Sequence, residues 1–248
     1  MKILVCISSV PDTTSKISFT ADQSAFDKNG IQWVINPLDE FVLSRAIQLQ
    51  ASLGASVTVV NVGGAENESV IRKALAIGAN DAIRINTEPK DSFSTAKEIA
   101  NIAKDGGYSL VLCGKESIDY NGSAVPAMLA QILDYQFINA VVKLEVKDST
   151  AEITREIDGG KETIELKFPV VVAGQKGLVD EKELIIPNMR GIMTARTKPL
   201  NVVEPISNGV KVQNLNFENT PSRAAVKMVS ADNLDELVRL LHEEAKVI

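Results

Sequence analysis

The feature that most restricts this chain is an alternation in its first half. Short runs rich in β-branched residues (Ile3–Ile7, Ser56–Val62, Asp81–Ile85 and Leu110–Cys113) are separated by longer stretches whose apolar residues recur at helical spacing. A strand that returns to its own sheet through a helix pairs in parallel, so both faces of the sheet are covered. The expected helices carry end signals. Asn36-Pro37 reads as a cap followed by proline in the first turn, with Asp39 and Glu40 next and Phe41, Leu43, Ala46, Ile47 and Leu49 forming a broad stripe. Further helices are expected over residues 67–77, stopped by Gly78, over 92–104, and over 123–133, the last opening at Ser123.

The middle of the chain follows a different period. Ala140–Val146, Ala151–Ile157 and Glu162–Phe168 alternate as strands do, and Asp158-Gly159-Gly160 is a tight turn joining the last two. Val170–Ala173 reads as a buried strand. The fold class is therefore α/β: an open, mostly parallel sheet with helices on both faces, an added antiparallel hairpin and a C-terminal arm. The arm begins after Lys198-Pro199. Residues 200–229, with Pro205, Asn208-Gly209, Asn214, Asn216, Asn219 and Pro221, show no core pattern. So long a stretch is unusual inside a compact domain and suits an arm lying on another chain. A last helix is expected from Ser230 as cap, with Leu234, Leu237, Val238 and Leu241 on one side.

Composition narrows the function. The 248 residues carry a net charge of −6, which argues against a general affinity for nucleic acid. No apolar run approaches the ~20 residues that span a bilayer, and the N-terminal MKILVCISSV reads as a first strand rather than a leader, so a cytoplasmic location is expected, or the mitochondrial matrix in a eukaryote. Cys6 and Cys113 both sit in apolar runs and read as buried reduced thiols. The single histidine, His242, lies in the charged tail. Neither a metal site nor a nucleophile–histidine pair is expected, and no catalytic residue is assigned.

Open parallel sheets bind ligands beyond the C-terminal ends of their strands, beside helix N-termini. Three segments fall there: Cys6–Asp12, Asn61–Gly64, and the small, polar stretch Gly114–Ala124. Neither G-x-G-x-x-G nor G-x-x-x-x-G-K-[ST] is present. The residues alone leave a nucleotide site and an ordinary glycine-containing loop both open.

Four stretches in order resemble the electron-transfer flavoprotein β-subunit family: Ile35–Glu40 (INPLDE), Ile71–Ala79 (IRKALAIGA), Arg155–Thr163 continuing to Pro169–Ala173, and Ile186–Met193 (IPNMRGIM) with Ala195 and Lys198-Pro199. The resemblance runs from residue 1 to about 200. It implies an adenine-nucleotide-binding, Rossmann-like domain over residues 1–199 and an arm with a helix, residues 200–248, packing on an α subunit. It implies a structural AMP, touched by Cys6, Asn36, Pro37, Leu38, Asp39, Val62 and the loop Asp119, Tyr120, Asn121, Gly122, Ser123, Ala124, Val125, then Ala127, Met128 and Ala130. The loop departs from the family's usual acidic cluster followed by NQTGQ, keeping only the first acidic residue, whereas backbone N–H donors do not depend on side-chain identity. The redox FAD is implied mainly in the α subunit, approached from this chain by Thr13 and Leu38. Leu184, Ile185, Ile186 and Pro187 match a loop that docks partner dehydrogenases, Ile186 being the protruding residue. This chain has extra residues between Pro187-Asn188 and Ile192-Met193 relative to shorter forms of the family.

The implied function is electron transfer, in support of fatty acid oxidation, from acyl-CoA-type dehydrogenases through the α-subunit FAD to a quinone reductase. Three alternatives stand beside it. One is a bifurcating type with a second FAD in this chain. Another is an ATP-using enzyme relying on Asp12 and Asp119. The third is a homodimeric stress-type nucleotide sensor.

Overall fold

The computed structural model describes residues 1–206, 209–223 and 225–248; Asn208, named above with the polar stretch, lies outside them. The chain divides into two units, one of Met1–Ile17 with Asp27–Leu215 and the other of Ser18–Phe26 with Asn216–Ile248.

The larger unit is built on a nine-stranded sheet. Its strands are β1 (Lys2–Cys6), β4 (Ser56–Val62), β5 (Asp81–Ile85), β6 (Leu110–Gly114), β7 (Gln136–Lys147), β8 (Thr150–Ile157), β9 (Gly160–Lys167), β10 (Val170–Gly174) and β11 (Leu200–Val203). They lie in the order β11-β5-β4-β1-β6-β10-β7-β8-β9. All pairs from β11 to β7 are parallel, while β7-β8 and β8-β9 are antiparallel. A separate antiparallel pair, β2 (Ser9–Pro11) with β3 (Trp33–Ile35), follows β1. The helices are α1 (Pro37–Leu53), α2 (Glu68–Ile77), α3 (Ser92–Gly106), α4 (Val125–Leu133) and α5 (Met189–Ala195).

Period-2 alternation in β1 distributes the core. Ile3, Val5 and Ile7 join Val42 and Leu43 of α1 and Ile71 and Leu75 of α2 on one face. Leu4 and Cys6 join Ala96 and Ile99 of α3 and Leu129 of α4 on the other. Ile3, Leu4, Leu43, Ile71 and Leu75 are fully enclosed, and each such side chain contributes roughly 1.5–3 kcal/mol of burial free energy. The expected class, a mostly parallel sheet with helices on both faces and an antiparallel addition, is the one observed.

Several local expectations are corrected. The helix expected from Ser123 starts at Val125, because Asn121 and Ser123 both take positive φ (48° and 47°) and Pro126 sits in the first turn. The expected strand at Ala140 begins at Gln136. Its first part pairs in parallel with β10 and its second part antiparallel with β8, with a register shift between Val141 and Lys143. Leu200–Val203, placed in the weakly structured stretch, is the parallel edge strand beside β5.

In the smaller unit, the rings of Phe19 and Phe217 stack with centroids 5.3 Å apart, and the Phe217 N–H donates to the Gln23 carbonyl at 3.0 Å. Its helix α6 is Leu234–Arg239, not a helix from Ser230. Asn233 caps it, accepting from the Glu236 N–H at 3.3 Å, while the Ser230 hydroxyl is taken up by a local turn with the Asp232 N–H. Leu234, Leu237 and Val238 are exposed.

Candidate functional site

The chain leaves β1 through α1 to β4 on one side, and leaves β6 through α4 to β7 on the other. Neighbouring parallel strands whose connections diverge leave a crevice at their C-terminal ends. A cleft of about 540 Å³ occupies that position. This is within the ~300–1,000 Å³ typical of small-molecule sites.

Its floor is formed by Cys6 and Cys113, at the ends of the paired strands β1 and β6, with Val62 from the end of β4 alongside. Both thiols are free and buried. The neighbouring Cys113, then burial and the Asp39 carboxylate, push the Cys6 thiol well above its usual range, so it stays a neutral, apolar lining group.

Asp39 fastens the two sides of the crevice together. It is 4% exposed; its Oδ2 accepts the Ser8 N–H at 2.7 Å and its Oδ1 the Gly114 N–H at 2.9 Å. Burial raises its carboxyl from the usual 3.8 to about 7, against the pull of the hydrogen bonds from Ser8, Asn36 and Gly114. Glycine is required opposite it, since a Cβ on Gly114 would lie 2.3 Å from Asp39 Oδ1 and 3.1 Å from the Asp39 backbone nitrogen.

Asn36 stands at the expected cap position of α1, but its side chain does not cap that helix. It donates from Nδ2 to the Glu116 carbonyl at 2.9 Å and accepts from the Ile118 N–H at 3.2 Å. The start of α1 thereby holds the loop after β6. Ser123 is held too, donating to Glu116 Oε2 at 2.6 Å. Its hydroxyl is therefore not spent on α4, whose first turn has no side-chain cap and leaves backbone N–H groups for another acceptor.

Of the sequence-predicted nucleotide contacts, Cys6, Asp39, Val62, Asp119, Tyr120, Gly122, Ser123, Ala124, Val125 and Met128 line the cleft. Asn36, Pro37, Leu38, Asn121, Ala127 and Ala130 do not. Asn36 acts from behind the loop, and Ala130 is buried against α3 with the rest of that face. Thr13 is exposed in the turn after β2, where the Thr14 N–H and hydroxyl bind Asp12, and Leu38 is half-buried in the first turn of α1. Asp12 does not line the cleft, and the described residues contain no cluster of three or more His, Cys, Asp or Glu suited to a metal ion.

Two walls of the cleft were not legible in the sequence. One is the start of α3, Lys90–Phe93 and Thr95; the other is Lys211, Val212 and Asn214 from the segment after β11. Asp91, which caps α3 with Ser94 three residues on, is a local signal that could have marked the first of them.

The loop before α5 lies elsewhere. Ile185 donates its N–H to the Ser44 hydroxyl at 3.2 Å and packs against the main core, and Leu184 and Pro187 are half-buried. Ile186 is 83% exposed. Met189, Ile192 and Met193 of α5 are exposed beside it in sequence. Arg72 holds α5 in place by donating to the carbonyls of Ala195 and Lys198, both at 2.9 Å. No helix among the described residues is long and apolar enough to cross a membrane.

A doubly covered parallel sheet with a crevice at its switch point defines an open α/β protein, the architecture whose ligands bind at that crevice. The comparisons are specific beyond that. Residues 24–208 match the family model described as the electron transfer flavoprotein domain. The chain is 33% identical to the electron transfer flavoprotein subunit beta of Bacillus subtilis, across the whole of both chains. It is 31% identical to that of Bradyrhizobium diazoefficiens, again over all of both, and 29% identical to that of Homo sapiens, over 100% of this chain and 99% of the human one. The chain belongs to the electron transfer flavoprotein β-subunit family.

Proposed function

We propose that this chain is the β subunit of a heterodimeric electron carrier, holding AMP as a structural nucleotide and supporting an FAD bound mainly by an α subunit. The observation that carries the nucleotide assignment is the cleft itself. It lies at the switch point, has a size suited to a nucleotide, and is bordered by the uncapped N-terminus of α4, where backbone N–H groups and the helix dipole favour a phosphate. Gly122, Ser123, Ala124 and Val125 would hold the phosphate end, and Cys6, Val62 and Met128 offer apolar lining for the base. In this role AMP would supply no redox chemistry; the loops after β1 and β6 and the start of α4 would hold it between them.

Electrons would pass from acyl-CoA-type dehydrogenases to the α-subunit FAD and on to a quinone reductase, with this chain as scaffold and docking surface. Thr13 and Leu38 would face the flavin from this side. Ile186 is the docking anchor: a protruding apolar side chain among Glu181, Lys182, Glu183 and Arg190 suits a transient interface. Of the arm, residues 216–248 would complete the contact with the α subunit, since Leu200–Val203 is an edge strand of this chain's own sheet.

The test is to purify the chain with its α subunit, denature the complex by heat and identify the released nucleotides by chromatography. One FAD and one AMP per heterodimer is the expected result. Two FAD would assign this chain to the bifurcating type, and no nucleotide would refute the cleft assignment.

A further inference from the structure

Beyond β11, Ile206 lies beside α3, and residues 209–215 cross the mouth of the cleft. The Ile206 N–H donates to Glu98 Oε2 at 3.0 Å. Further on, the N–H groups of Lys211 and Val212 both donate to Asp91 Oδ2, at 2.5 and 2.9 Å. Lys211 Nζ lies 5.7 Å from the centre of the Phe93 ring. Asn214 Nδ2 reaches the Tyr120 hydroxyl, in the loop before α4, at 3.5 Å. Residues 209–215 thus span from the first residues of α3 to the loop on the opposite rim. Lys211, Val212 and Asn214 line the same cleft as Cys6 and Cys113, but where those two are buried Val212 is 66% exposed. The strap is the outer wall of the cleft.

Asp91 divides its carboxylate between two tasks. Oδ1 accepts the Ser94 N–H at 2.7 Å and caps α3, while Oδ2 takes the two strap amides. A carboxylate alone among cap residues has a second acceptor oxygen for this. Partial desolvation raises its carboxyl, but the hydrogen bonds from Ser94, Lys211 and Val212 outweigh it and hold the group well below the usual carboxylate range, so the acceptor remains charged at neutral pH. Nothing else in the described strap binds the α3 side of the cleft through two backbone donors on one atom.

We infer that residues 209–215 gate the cleft and that Asp91 is the positioning residue that latches the gate, so that the nucleotide enters and leaves only when both strap amides release Oδ2. This rests on the nucleotide reading of the cleft given above. The ligand itself need not touch Asp91.

Two variants separate the latch from the helix cap. Asp91→Asn keeps an oxygen for Ser94 but turns an N–H₂ towards the two strap donors. Val212→Pro removes one of those donors and leaves Asp91 untouched. Radiolabelled AMP is loaded onto the complex with the α subunit, and its release into excess unlabelled AMP is followed, together with its rate of entry into nucleotide-depleted complex. Losing charge-assisted bonds at a partly exposed site predicts release roughly five- to tenfold faster in Asp91→Asn and about threefold faster in Val212→Pro. Entry should accelerate alongside release, because a gate slows both directions. Release within twofold of the parent in both variants overturns the latch while leaving the nucleotide reading intact. Faster release with unchanged entry also overturns it, making Asp91 a ligand contact. A parent complex that retains no AMP refutes the nucleotide reading itself, and the gating role with it.

Discussion

Replacing Asp39 by asparagine tests the geometry at the heart of the cleft. In the folded chain this carboxyl titrates near 7, against the usual 3.8 when unfolded, with burial as the leading cause. The folded state therefore binds the proton more tightly than the unfolded chain. Below pH ~4 both states are protonated and the contribution is fully present. Between about pH 4 and 7 the unfolded chain ionises first, and stability falls as pH rises. A gap of about 3 pH units at 1.36 kcal/mol each corresponds to about 4 kcal/mol lost across that window, with a flat dependence above it. Asparagine cannot ionise, so Asp39→Asn lacks this slope. Its amide can accept only one of the two N–H groups from Ser8 and Gly114, which costs about 1–3 kcal/mol at every pH. Urea titrations of parent and variant from pH 4 to 8 isolate the effect, because other titrating groups cancel in the difference. The variant should gain about 3–4 kcal/mol relative to the parent between the two ends. A difference that stays constant within about 0.5 kcal/mol would show that Asp39 does not titrate in this window, and that its two amide bonds outweigh its burial.

Two further substitutions address the loop after β6 and the proposed docking surface. Asn36→Ala removes the bonds to Glu116 and Ile118. It should cost about 1–3 kcal/mol by urea titration and weaken AMP binding about tenfold by calorimetry, because the start of α1 no longer holds the loop; unchanged AMP affinity would detach that loop from the site. Ile186→Ala changes an exposed side chain, so stability should stay within about 0.5 kcal/mol and AMP content should be unaltered. Electron transfer from a partner acyl-CoA dehydrogenase should slow about tenfold, and an unchanged rate would remove Ile186 from the interface.

What the sequence determined on its own was the set of elements that carry a strong local period. β4 and β5 span the residues expected of them, β4 because a central parallel strand is buried on both faces and stops at turn residues. Helix α1 starts at Pro37 and ends before Gly54, which takes φ 66°. The alternation of these elements sufficed for the α/β class, and the rule for strand ends picked out the loops after β1, β4 and β6 as the place for a ligand. Where local chemistry offered two choices, tertiary contacts made the selection. Asn36 could cap a helix or brace a loop, and the distant Glu116 and Ile118 claimed its side chain. Ser230 and Asn233 could each cap α6, and the nearer one does. Other features leave no local trace at all. The edge position of β11 depends on β5, more than a hundred residues earlier, and the strap over the cleft depends on backbone amides meeting a carboxylate 120 residues away. Periodicity records which face of a segment is buried, whereas strand order and such long-range hydrogen bonds are fixed only when the folded chain brings distant groups within about 3 Å of one another.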